Sequence, residues 1–154
     1  MTTKITAAIL AALTVATMTV ADAEARARSQ RSPAQEFTQS PIVDEARRWI
    51  GTNPTGWERL WCAKFMNFIL ERTGYRGSGS NRADSFASYG HRIPGPQVGA
   101  IAVMSRGAGG GHVGVVSGFD RSGNPIIISG NHNRTVAEAA YPRGRIYAYV
   151  MPNG

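Results

Sequence analysis

The sequence predicts an α+β fold, with N-terminal helices packed on a small antiparallel sheet or half-barrel. Three observations predict it. Apolar residues recur at helical spacing early in the chain, at Ile42, Val43, Ala46 and Trp49 and again at Phe65, Met66 and Ile69. The period then changes, and short runs rich in Val, Ile and Tyr follow at 98–104, 111–116, 125–129 and 145–150. Asp120-Arg121-Ser122-Gly123-Asn124 between the second and third runs has the composition of a hairpin turn.

The first 40 residues stand apart from this pattern. Lys4 is the one charge before an uncharged stretch at 5–20, and Ala21-Asp22-Ala23 has the small-x-small form of a signal peptidase site. A signal peptide over 1–23 is expected, with Ala25-Arg26-Ala27 as a second possible cleavage site. The stretch is short and Thr-rich for a membrane span, and no other stretch suits one. The expected location is therefore secreted or periplasmic. Residues 24–40 hold Arg, Ser, Gln, Pro and Ala without periodicity and read as a flexible lead-in. The remainder, 41–154, has the length of one domain with one core.

Charge and cysteine content narrow the function. Lys and Arg number 17 against 10 Asp and Glu, a net charge of +7, and losing 1–23 removes one charge of each sign. An exported basic protein meets polyanions such as wall polymers. The cations are scattered and no nucleic-acid motif occurs, which argues against a specific nucleic-acid partner. One cysteine cannot form an internal disulfide; in an oxidising compartment it is buried and inert, bonded between chains, or reactive.

The elements follow in order. Ser40 is a suitable N-cap and Pro41 a suitable first helical residue. Asp44 and Glu45 suit the first turn of this helix, Arg47 and Arg48 the last, and Gly51 its end. Residues 51–60 form a loop leading to Cys62. Asn53, Thr55 and Trp57 in that loop, with Trp61, are candidate substrate contacts; the loop residues equally suit shaping the turn. Cys62 begins the second helix and Gly74 stops it. In the first turn, unpaired N–H groups and the helix dipole favour thiolate and lower a thiol's pKa. Residues 74–81 are rich in Gly and Ser, 83–89 suit a short helix, and 90–97 read as a connection with His91 on the surface. The glycine run at 107–111 lacks the Gly-Lys-Ser/Thr ending of a phosphate-binding loop and reads as a turn.

His112 opens the second strand run, and Asn131 ends the third. A hairpin at 120–124 brings those two ends together. If the sheet packs on the Cys62 helix, thiol, imidazole and amide form a minimal nucleophilic set. Cys62 is the nucleophile, His112 the base that later protonates the leaving amine, and Asn131 the group that holds the ring's tautomer. His132 is the rival for the third role. The Cys62 N–H is a candidate oxyanion donor. A zinc site from Cys62, His112 and His132 is an alternative, although no close ligand pair such as HExxH or CxxC is present.

Cys62 at a helix start, Gly111-His112-Val113-Gly114-Val115-Val116 in a strand, and a polar residue ending the next strand resemble the papain-like cell-wall hydrolases of the NlpC and CHAP type. The run at 98–104 resembles the first barrel strand of those families, although Ala100 stands where they commonly carry Asp. The resemblance implies thiol-dependent cleavage of amide bonds in peptidoglycan peptides, by an endopeptidase or amidase. It implies no metal and no cofactor. The partner is then peptidoglycan or another peptide-bearing wall polymer, and the chain acts as a monomer. A non-catalytic wall-binding or inhibitory module of the same fold is the competing reading.

Overall fold

The computed structural model describes residues 40–107 and 111–153. The expected signal peptide at 1–23 and the lead-in up to residue 39 lie outside the described residues. Two helices come first, α1 (Pro41–Arg47) and α2 (Cys62–Arg72), then a short 3₁₀ helix (Ala83–Ser88). Six strands follow: β1 (His91–Ile93), β2 (Ile101–Ser105), β3 (Gly111–Phe119), β4 (Pro125–His132), β5 (Thr135–Ala140) and β6 (Ile146–Met151). They form one sheet in the order β1-β6-β2-β3-β4-β5, and each neighbouring pair is antiparallel. The chain is α+β.

Both faces of the sheet are covered by apolar side chains. On one face, Val43, Phe65, Met66 and Ile69 of the helices join Val103, Val113, Val115 and Ile128 of the strands. On the other, Ala102, Met104, Val116 and Ile127 meet Tyr141 and Tyr149. Burial on both faces explains why the strand runs are nearly continuous in apolar residues rather than alternating. Each fully buried aliphatic or aromatic side chain contributes about 1.5–3 kcal/mol relative to exposure.

Local chemistry sets the element ends. Gly74 has φ 86° and closes α2 in the left-handed conformation that glycine adopts without a Cβ clash. The β3–β4 turn is held by Asp120, whose Oδ1 accepts from the Ser122 and Asn124 N–H groups at 2.9 and 2.8 Å. α2 lies close against β4 at Gly130, where a Cβ would stand 2.5 Å from the Trp61 ring.

Two strands were absent from the sequence reading. β1 runs through the region expected to be a connection and pairs only with β6. β5, Thr-Val-Ala-Glu-Ala-Ala, has little strand propensity of its own and exists because it extends the ladder from β4. It also receives the chain after α1: Gly51 N–H donates to Val136 O, and Val136 N–H donates to Thr52 O, both at 2.8 Å. α1 consequently ends at Arg47 rather than reaching Ile50, which forms a parallel bridge with Val136.

Candidate active site

Cys62 is the first residue of α2 and is buried. The residue before it, Trp61, supplies no side-chain cap to the helix. The unpaired N–H groups of the first turn are therefore not taken up by a capping side chain. Peptide groups of Val113, Ala63 and Cys62 and the charge of Arg106 favour thiolate, but burial is the largest influence and raises the thiol pKa. The lowered pKa expected from the helix start is thus overturned, because loss of water outweighs the helix-end amides.

His112, the second residue of β3, is only 1% exposed. Its Nε2 lies 3.0 Å from Ser129 Oγ and 3.5 Å from the Tyr141 hydroxyl. Its Nδ1 is buried and has no hydrogen-bond partner. Burial first, then the charges of Arg106, His132 and Arg145, push the imidazole pKa down to about 3. The ring is neutral near pH 7.

Cys62 meets β3 at Val113. The Val113 peptide group that acts on the sulfur belongs to the residue after His112. No hydrogen bond joins the sulfur to either ring nitrogen: the partners of Nε2 are hydroxyls, and Nδ1 has none. Cys62 packs in the helix-side cluster, whereas His112 pairs across the strands with Met104 of the other cluster.

Asn131 does not hold the His112 ring; Ser129 occupies that place. The β3–β4 register, Val115 opposite Ile128, would carry His112 opposite Asn131 if it continued. However, Asn131 has φ 59°, and the β4–β5 ladder shifts between Ser129 and His132. Gly114 leaves room for the diagonal contact, since a Cβ there would be 2.8 Å from Ser129 Cβ. The rival, His132, reaches the Tyr141 hydroxyl through Nδ1 at 3.2 Å rather than His112.

The expected substrate contacts separate. Trp61 is fully buried, edge-on to Phe65 with ring centroids 6.4 Å apart, and its role is packing rather than substrate contact. Asn53 is engaged within its own loop, donating to Trp57 O at 2.8 Å and accepting from Thr55 N–H and hydroxyl. Trp57 is exposed, with Lys64 Nζ 4.2 Å from its ring centroid. Neither Asn53 nor Trp57 lines the cavity at Cys62.

That cavity has a volume of about 430 Å³ and is walled by Leu60, Arg82, Asp84, Met104, Ser105 and Tyr147 besides Cys62. Arg82 and Asp84 form a two-pronged ion pair on its wall, with the shorter contact 2.6 Å. Arg82 holds the Asp84 carboxyl below its usual range. Leu60, at the rim, has φ 54°, an uncommon conformation for a residue with a side chain.

Sequence reasoning missed Ser129, Tyr141, Arg82 and Asp84. Ser129 carried a usable signal, a small polar residue inside an apolar strand run. Tyr141 carried none, because it follows a strand that was not foreseen. Among the described residues, no three His, Cys, Asp or Glu side chains gather in a way that could hold a metal ion, so Cys62, His112 and His132 do not form the alternative zinc site. Among the same residues, no helix is long and apolar enough to cross a membrane.

No curated protein matches the chain. The family pattern described as "CHAP domain" matches residues 53–131, just over half of the sequence. The match begins in the loop before Cys62, contains the whole of β3, and ends at Asn131. A cysteine at a helix start and a histidine at a strand start both fall inside it, and the chain belongs to the CHAP domain family, whose members are generally cysteine- and histidine-dependent hydrolases.

Proposed function

We propose that this chain is a secreted or periplasmic thiol hydrolase that cleaves amide bonds in peptidoglycan peptides. The observation that carries the reading is a helix-start thiol on an open cavity, with the peptide group of Val113, the residue after the buried His112, acting on its sulfur. Thiol and imidazole both start neutral, because burial disfavours each charged form. In the first step the Cys62 S–H proton passes to His112 Nδ1, the ring nitrogen without a partner, as sulfur attacks the amide carbonyl carbon. The carbonyl electron pair moves to oxygen, where the Cys62 N–H stabilises it. The C–N bond then breaks, and the leaving nitrogen takes the proton from His112. Water, activated by the same imidazole, hydrolyses the thioester and restores the thiol.

Ser129 takes the tautomer-holding role expected of Asn131. By accepting from Nε2–H it keeps the proton off Nδ1, leaving Nδ1 free to act as base. The net positive charge favours approach to an anionic wall. Arg82 and Asp84 offer a substrate charges of both signs within the cavity.

The test is digestion of purified sacculi by the wild type and by Cys62→Ser, with mass spectrometry of the released fragments. New amine and carboxylate termini at one amide bond, absent with Cys62→Ser, are expected, and they identify the bond. Equal fragment release by both proteins would rule out a thiol mechanism.

A further inference from the structure

His112 is the first member of a buried line of polar groups that extends beyond Ser129. Ser129 Oγ lies 3.5 Å from the Tyr141 hydroxyl, and that hydroxyl lies 3.2 Å from His132 Nδ1. His112, Ser129 and Tyr141 are buried, whereas His132 is partly exposed. The line joins a ring with no exit of its own to one that meets solvent. Each hydroxyl in it both donates and accepts, so the direction of one hydrogen bond sets the next.

We propose that Tyr141 and His132 are positioning residues that set which nitrogen of His112 carries the proton. With His132 neutral and Nδ1 accepting, the donors all run one way. Nε2–H of His112 donates to Ser129, Ser129 O–H to Tyr141, and Tyr141 O–H to His132 Nδ1. His112 Nδ1 is then bare and can take the thiol proton. Protonated His132 carries a hydrogen on Nδ1 and donates it to Tyr141. Tyr141 then donates to Ser129, Ser129 donates to His112 Nε2, and His112, by giving its Nε2 proton to water and taking one from water at Nδ1 during transient opening of the site, becomes the Nδ1–H form. That tautomer cannot receive the thiol proton. No net charge moves along the line; only the donor direction reverses.

The groups acting on this line come from several elements. Arg106, just after β2, and Arg145, just before β6, act on His112 together with His132. Arg145 also lies over the Tyr141 ring, 5.6 Å from its centroid. Neither guanidinium is a member of the hydrogen-bonded line, so the change in direction falls to His132.

The inference rests on His112 being the base, and its test reads the ring directly. Nitrogen-15 chemical shifts distinguish the two neutral tautomers of His112 in the full chain. In the wild type, His112 is expected as the Nε2–H form while His132 is neutral. It should convert to the Nδ1–H form in step with the titration of His132's own resonances. Tyr141→Phe and His132→Gln, made separately so that one misfolding variant leaves the other informative, should each abolish that coupling. In His132→Gln, kcat should lose its acid-side inflection with KM changed less than twofold. A His112 tautomer that ignores His132 titration in the wild type would overturn the proposal, even if Cys62→Ser confirms the hydrolase. Intact tautomer coupling in a protein whose hydrolysis survives Cys62→Ser would instead leave the line standing and remove the thiol mechanism.

Discussion

Around Cys62 the neighbours are apolar side chains and peptide groups; around His112 they are two hydroxyls, with a second imidazole behind them. Burial is the largest influence on each, and both surroundings therefore favour the neutral form of the group they hold. They differ in direction. The peptide groups that act on the thiol have a fixed donor direction. The hydroxyls on the imidazole's side can point either way, so that side can register the protonation of a distant group. In the proposed mechanism, one side holds the nucleophile and the other sets when the base is ready.

Removing His112 tests the comparison most severely. His112→Ala is expected to lower kcat/KM by about 10²- to 10⁴-fold, the usual contribution of a general base. Iodoacetamide should still modify Cys62 in that variant, because the cavity remains open to the thiol. Wild-type hydrolysis by His112→Ala would break the assignment of base to this side of β3.

The next effect concerns stability. His112 titrates at about 3 in the folded protein, against 6.5 without the fold's influence. Below 6.5 the unfolded chain therefore binds a proton that the folded chain refuses, and stability is lost as pH falls from 6.5 towards 3. The slope from this group approaches about 1.4 kcal/mol per pH unit inside that window. Denaturant titrations of wild type and His112→Gln between pH 6.5 and 5 should differ by this slope. That range lies above 4.5, the ordinary value from which the Glu45 carboxyl is lowered, chiefly by its hydrogen bond with Arg72. Parallel pH dependences would mean that His112 is not held neutral by burial.

The smallest effect separates two residues of one strand. Ser129→Ala removes the 3.0 Å partner of Nε2 and should lower kcat about tenfold, near the 1–3 kcal/mol cost of an unsatisfied buried group. Asn131→Ala should lower it less than twofold, because Asn131 makes no hydrogen bond to the ring. The reverse order in steady-state kinetics would restore the amide to the third role.

Local signals made much of the fold legible. Pro41, Gly74 and the Asp120–Asn124 turn act through their own backbone chemistry, and each set an element boundary where expected. Cys62 and His112 could be singled out because one sits at a helix start and the other at a strand start. β1 and β5 were not legible, since His91–Ile93 and Thr135–Ala140 become strands only through the neighbours that pair with them. Trp61 misled for a related reason: adjacency to Cys62 in sequence says nothing about which way a ring turns, and this one turns into the core.

The order of α1, α2, β2, β3, β4 and β6, the single thiol, and the histidine that opens β3 follow from residue spacing and intrinsic backbone preference, so the sequence alone determined them. The tertiary structure decided the protonation chemistry and the partner of the imidazole. Desolvation depends on everything packed around a group, and the Ser129–Tyr141–His132 line assembles only after β4 and β5 pair and Tyr141 folds back beneath the sheet.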